Sequence, residues 1–205
     1  MLSHRFKTIF VHIPKTGGQS IEHMFLKAHG LDWNTREALL LKANRDKSLG
    51  PGRLAHMFAE EYHSFGHVTR EAYDSYYRFT TIRDPYDRMV SEFNYRKHEH
   101  KTIRDFVASL PTNMRSDRRR HVVPQVRFIM DEDGQLLVDD VLRFERLQED
   151  IKKVFARLPD LGELEHINSS RRKRLRRADL EPADIAFIDE LFEDDFRLLD
   201  YPRMA

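Results

Sequence analysis

Short apolar runs along this chain alternate with stretches in which apolar residues return every three or four positions. Ile9-Phe10-Val11 has the length and character of a buried strand. It passes directly into His12-Ile13-Pro14-Lys15-Thr16-Gly17-Gly18-Gln19-Ser20, and from Gly18 onward Ile21, Met24, Phe25 and Ala28 fall at helical spacing. Residues 78 to 95 repeat the arrangement: a strand through Phe79 and Ile82, Arg83 at its end, then a helix with the apolar stripe Tyr86, Met89, Val90 and Phe93. Asp84 suits the N-cap of that helix, and Pro85 suits its first position, where a missing N–H costs nothing. The spacing further predicts a helical stretch from about Thr35 to Tyr62, a short helix near Ile103 to Leu110, a late strand within Val138 to Glu145 and a packing helix from Pro182 to Phe196. This alternation predicts an α/β fold of three layers, with a parallel central sheet covered by helices on both faces.

The two strand-to-helix turns carry the candidate chemistry. Adjacent glycines at 17 and 18 let the backbone turn tightly and bring its N–H groups close to an anion, which the positive end of the following helix also faces. Lys15 adds a point charge. The order differs from the Walker pattern, in which the lysine follows the glycines and is joined by a hydroxyl for magnesium. In the second turn, Arg83 and Ser91 stand apart from the core-facing stripe. The bland alternatives are an ordinary turn with a solvated lysine, an Arg83 paired with a carboxylate and a surface Ser91. Two anion sites on successive turns suit one ligand with two separated phosphates.

The run Pro14-Lys15-Thr16-Gly17-Gly18 resembles the 5′-phosphosulfate loop of sulfotransferases that use 3′-phosphoadenosine 5′-phosphosulfate (PAPS), in particular the family of the heparan sulfate 2-O-sulfotransferases and their bacterial relatives. Arg83-Asp84-Pro85-Tyr86-Asp87-Arg88-Met89-Val90-Ser91 resembles their 3′-phosphate segment. Weaker likenesses lie in His121 to Ile129, Val138 to Glu145 and His166 to Lys173. The resemblance implies a P-loop-like sulfotransferase fold and in-line sulfuryl transfer to a hydroxyl of a carbohydrate or a small molecule. It implies that Lys15, Thr16, Gly17, Gly18, Gln19 and Ser20 hold the phosphosulfate, that Arg83 and Ser91 hold the 3′-phosphate, and that a basic loop with Arg171 and Lys173 closes over the nucleotide. Lys15 would stabilise the leaving oxygen. His67, in Gly66-His67-Val68, matches the family's catalytic base, with His63 and His56 as competitors. An unperturbed imidazole titrates at about 6.5, so it is a free base near neutral pH. No metal is implied. The rival readings are a nucleotide-dependent small-molecule kinase and an inactive PAPS- or glycan-binding module.

Composition narrows the field. With 205 residues, 40% of them hydrophobic, and no Pro/Gly/Ser-rich linker, one domain over 1–205 is expected. No apolar stretch approaches the ~20 residues needed to span a bilayer, and no signal segment leads the chain, so a cytoplasmic bacterial enzyme is expected. The absence of cysteine removes disulfides and thiolate chemistry. A net charge of +1 and the lack of stacking motifs argue against nucleic acid as a partner. The cluster Arg115-Ser116-Asp117-Arg118-Arg119-Arg120 reads as a loop that either steers an anionic acceptor or is simply solvated. The sequence sets no oligomeric state.

Overall fold

The computed structural model describes residues 1–96, 100–165 and 175–204. Its sheet has the order β1 (Leu2–Ser3), β2 (Thr8–Val11), β3 (Tyr77–Ile82), β4 (Asp140–Arg143). The pairs β2–β3 and β3–β4 are parallel, whereas β1 runs antiparallel to β2 at the edge, a strand the sequence pattern did not predict. Successive residues of β2 enter opposite faces. Ile9 and Val11 join one buried cluster and Phe10 the other, as the two-residue period of a strand requires.

On the Phe10 face lie α1 (Gly18–Ala28) and, beyond β4, α8 (Leu147–Asp150) and α9 (Lys152–Arg157). Ile21, Met24, Phe25 and Val154 pack there against Phe79 and Leu142. On the other face α4 (Pro85–Tyr95), α5 (Ile103–Ala108), α10 (Pro182–Leu191) and α11 (Glu193–Leu198) bring Tyr86, Met89, Phe106, Ile188 and Phe192 against Val11 and Ile82. Helices therefore cover both faces. The last helical segment, expected as one piece, is two, divided at Phe192.

Residues 35 to 62 depart from the helical expectation. They form three short 3-10 turns, Arg36–Leu39, Lys47–Leu49 and Leu54–His56, before α2 (Glu61–Ser64) and α3 (Arg70–Ser75). Gly50, at φ 119°, and the adjacent Pro51 interrupt any helix, while the Asn44 side-chain amide donates to the carbonyls of Asp46, Gly50 and Pro51. The arginine cluster also departs from expectation, because Asp117–Arg120 forms α6 and Arg115 and Arg120 are tied into the fold. Arg120 is buried, and its guanidinium donates twice to the Glu61 carboxylate at 2.6 Å and once to the His56 carbonyl at 2.9 Å. Arg115 donates to the Lys47 and Gly50 carbonyls and pins the irregular segment.

A second buried guanidinium joins the two strand-to-helix turns to the segment between α6 and α7 (Val126–Ile129). Arg88, on α4 and 1% exposed, donates through Nε to the Pro14 carbonyl at 3.1 Å, through Nη1 to Val123 at 2.8 Å and through Nη2 to His121 at 3.1 Å. Each of these carbonyls would be left unsatisfied by a shorter or apolar side chain, at roughly 1–3 kcal/mol apiece. Arg88→Met is expected to lower the unfolding free energy by about 3 kcal/mol or more, read from urea denaturation. A loss below ~1 kcal/mol would mean that these carbonyls find other donors.

Candidate functional site

Parallel strands β2 and β3 end side by side, and the turns leaving their carboxyl ends open onto one cavity of about 890 Å³. Lys15, Gly17, Gly18, Gln19, Ser20, Arg83 and Ser91 all line it. Thr16 does not. Its buried hydroxyl donates to the Ile13 carbonyl at 2.8 Å and shares a hydrogen bond with Thr81 Oγ1 at 2.8 Å, so the side chain braces the turn from beneath.

The turn depends on its glycines for space as well as for conformation. Gly17 has φ 84°, and a Cβ there would stand 2.6 Å from the Phe144 ring. At Gly18 a Cβ would stand 2.3 Å from the His12 imidazole. No side chain caps α1 and its first turn holds no acidic residue, so the amide groups and positive dipole end of the helix remain directed to the cavity. Lys15, at φ 71°, lies with Nζ 3.9 Å from the centroid of the Tyr95 ring, and burial pulls its pKa below the ordinary lysine value.

Arg83 is held by Gln125, whose Oε1 accepts from the Arg83 amide at 2.8 Å and whose Nε2 donates to the Arg83 carbonyl at 2.8 Å. Its guanidinium lies over Phe144, 4.4 Å from the ring centroid, and Nη1 donates to the Lys15 carbonyl at 3.2 Å. Nε is buried with no partner, and no carboxylate among the described residues pairs with this cation. Burial lowers its pKa, so an incoming anion would relieve a real electrostatic deficit. Ser91 stands on the face of α4 that also carries Asp87, Asn94 and Tyr95 into the lining. An uncapped helix end, a lysine and an orphaned guanidinium fit a ligand bearing two phosphate groups.

Three histidines of the lining, His12, His56 and His121, are paired with carboxylates. His12 Nδ1 lies 2.6 Å from Glu22 Oε1, His56 Nδ1 lies 2.6 Å from Asp117 Oδ1, and His121 Nδ1 lies 2.8 Å from Glu92 Oε2. The His56 ring meets both His12 and His121 edge to face with centroids 5.0 Å apart. Burial pulls the His56 pKa down to about 4 against the opposing effect of Asp117. Burial also disfavours charge on His121, but the carboxylates of Asp117 and Glu92 beside it outweigh this and raise its pKa. Asp117 is held well below the usual carboxylate range: burial opposes this, and the two imidazoles overcome it.

His67, expected as the base, is not among the lining residues. Gly66, at φ 72°, ends α2, and the His67 amide caps that helix by donating to the Tyr62 carbonyl at 3.0 Å. The imidazole is thereby turned to the Leu49 carbonyl, 2.9 Å from Nε2. His63 lies against Tyr73 and is equally absent from the lining, which leaves His56 as the one of the three competitors that reaches the cavity. Arg171 and Lys173 lie outside the described residues. Sequence reasoning missed His12, Glu22, Glu92, Asp117 and His121 as a group, because they come from four separate segments. The only local signal was the spacing of Asp117 and His121, four apart on one helical turn.

Residues 1–202 match the profile of the Sulfotransferase family, and the chain belongs to that family and carries its sulfotransfer chemistry. The mostly parallel four-stranded sheet between helical layers is consistent with the family's fold. No curated protein and no solved structure matches the chain. No helix among the described residues is long and apolar enough to cross a membrane.

The buried histidine has a measurable consequence for stability. The unfolded chain protonates His56 near 6.5, whereas the folded protein resists protonation down to about 4. Between these values the unfolded state binds the extra proton, so stability falls as pH drops through that window. The urea midpoint of the wild type is expected to fall more steeply from pH 6.5 to 4 than that of His56→Asn; parallel slopes would remove His56 as the source.

Proposed function

We propose that residues 1–205 form a single sulfotransferase domain that moves the sulfuryl group of PAPS to an acceptor hydroxyl, with a carbohydrate as the preferred class, by in-line displacement. The observation that carries this reading is the contact between the two turns. Arg83, with its unpaired Nε, donates to the carbonyl of Lys15, so two anion-binding groups stand next to each other on one wall. A nucleotide carrying phosphates at both ends of its ribose uses both.

PAPS would supply the transferable sulfuryl group and a stable diphosphate leaving group. The first-turn amides of α1 and the Lys15 ammonium would hold its 5′ end, while Arg83 and Ser91 would hold its 3′-phosphate. Arg171 and Lys173 remain candidates for a covering role. Lys15 then hydrogen-bonds the oxygen on which charge develops as the leaving group departs, and this preorganised donor needs no metal partner. In the same cavity His56 takes the acceptor proton. Its Nδ1 faces Asp117, which assigns the proton to that nitrogen and leaves Nε2 with the lone pair, and Nε2 has no protein partner among the described residues. A low pKa keeps this imidazole neutral throughout the physiological range.

Positioning and charge stabilisation dominate this kind of group transfer. Lys15→Ala is expected to depress turnover by about a hundredfold, and a near-normal rate would remove its assigned role. In calorimetry, Arg83→Ala is expected to weaken binding of 3′-phosphoadenosine 5′-phosphate (PAP) far more than that of 5′-AMP, and equal weakening would put the 3′-phosphate elsewhere. His56→Ala should abolish transfer from labelled PAPS while sparing PAP affinity, and His67→Ala should leave the rate within a few-fold. The reverse pattern would return the base to His67. Thermal shifts produced by Mg-ATP and not by PAP would favour a kinase. PAP binding without transfer to any of a panel of glycan and small-molecule acceptors would favour a binding module.

A further inference from the structure

We infer that Asp117 is a positioning residue for the proton transfer. It grips the His56 imidazole by Nδ1 so that Nε2 meets the acceptor hydroxyl, and it is itself braced by His121, which Glu92 anchors. The inference rests on the reading of His56 as the base, and it assigns a task to a part of the histidine wall that this reading leaves unused.

The contacts form a continuous chain. Arg96 Nε donates to Glu92 Oε1 at 2.6 Å, and Glu92 Oε2 meets His121 Nδ1 at 2.8 Å. His121 Nε2 faces Asp117 Oδ2 at 3.7 Å, too long for a hydrogen bond but close for an ion pair, and Asp117 Oδ1 meets His56 Nδ1 at 2.6 Å. Two of these links are held by the helix and by a side-chain clamp. Asp117 and His121 lie four residues apart and so share one face of α6. The intervening Arg120 clamps the His56 carbonyl and Glu61, which locks the turn bearing the imidazole to the helix bearing its carboxylate. The remaining charged neighbour of His56 is the His12–Glu22 pair, whose imidazole touches the opposite edge of the ring.

A carboxylate on Nδ1 has two effects. It keeps the proton on that nitrogen, and it stabilises the imidazolium once Nε2 has taken a second proton. In the transfer, the hydroxyl O–H bond breaks and an N–H bond forms at Nε2. The electron pair freed on oxygen goes to sulfur, and the leaving diphosphate departs with the pair of the broken S–O bond. The imidazolium later returns its proton to water. His121 favours the ionised form of Asp117, because its ring N–H, and its charge when protonated, face the carboxylate.

The same three residues have ligand atoms within 4.8 Å of one another. The 2.6 Å approach of His56 to Asp117 is nevertheless a hydrogen bond, since two ligands on a tetrahedral zinc with bonds of about 2.0 Å stand roughly 3.3 Å apart. A resident ion would therefore require the pair to separate.

The test compares Asp117→Asn and Asp117→Glu with wild type in steady-state sulfuryl transfer across pH, alongside PAP calorimetry and melting curves. Asp117→Asn is expected to lower kcat by a hundredfold or more, in line with amide replacement of a carboxylate behind a catalytic histidine, with donor KM and PAP affinity within about twofold. Loss of the anion lowers the imidazole pKa, so the acid limb of the kcat profile should move to lower pH, and Asp117→Glu should recover part of the rate. A wild-type kcat and acid limb in Asp117→Asn would overturn the inference. So would a loss of rate matched by equal losses of PAP affinity and melting temperature, or wild-type activity abolished by a chelator and restored by zinc. A wild type that binds no PAP and transfers no sulfuryl group would bring down the sulfotransferase reading itself, and this inference with it.

Discussion

A single cation in the protein interior organises the cavity. Arg88 donates its hydrogen bonds to three main-chain carbonyls, of Pro14, Val123 and His121, and to no carboxylate among the described residues. Burial lowers its pKa to about 10, with Asp195 and Glu92 acting at longer range in the opposite sense, so the group remains charged under ordinary conditions. A desolvated guanidinium is tolerable only where its donors are satisfied. The carbonyls that satisfy it belong to the phosphate-type loop and to the segment that carries His121. One side chain on α4 therefore ties the phosphate-type loop to the segment that carries His121, and movement of either would leave a buried cation short of acceptors.

This arrangement explains which parts of the molecule could be read in advance. The two strand-to-helix turns were legible because each is a contiguous stretch in which local rules suffice. The Asp84 carboxylate caps the amides of Tyr86 and Asp87, Pro85 begins the helix, and the glycines bend where expected. Arg88 was not legible, since nothing in its immediate neighbours separates a charge bound to distant carbonyls from a solvated one. The same limit applies to the histidine wall. Local context favoured His67, but the hydrogen bonds that end α2 turn it away, and His56 owes its place to Arg120, sixty-four residues further along the chain. The arginine cluster misled for a related reason. Charge runs are usually solvated faces, and this one supplies a buried anchor and a structural clamp.

The cavity is electrically divided. Its donor wall presents Lys15, Arg83 and a helix N-terminus, all positive and only partly compensated. Elsewhere in the lining His12, His56 and His121 each meet a carboxylate, and Asp117 offsets part of the cost that burial puts on a proton at His56. Tyr95 stands at the boundary, exposed, with the Lys15 ammonium against its ring. An anion entering the donor wall competes with that ring for the ammonium. Because the attraction to an aromatic face is about 0.5–1 kcal/mol at exposed sites, a phosphosulfate would prevail in that competition.

The backbone of Lys15 lies in the left-handed region at φ 71°, a conformation that a side chain bearing a Cβ enters at a cost of roughly 1–2 kcal/mol and glycine enters freely. That twist presents the Lys15 carbonyl to Arg83. A glycine at this position would make the bend with less strain and give a more robust molecule, but one stripped of its ammonium. Thermodynamic ease and the capacity to react thus pull this residue in opposite directions, and the loop accepts a permanently tensed main chain in order to keep a charge at the mouth of the cleft.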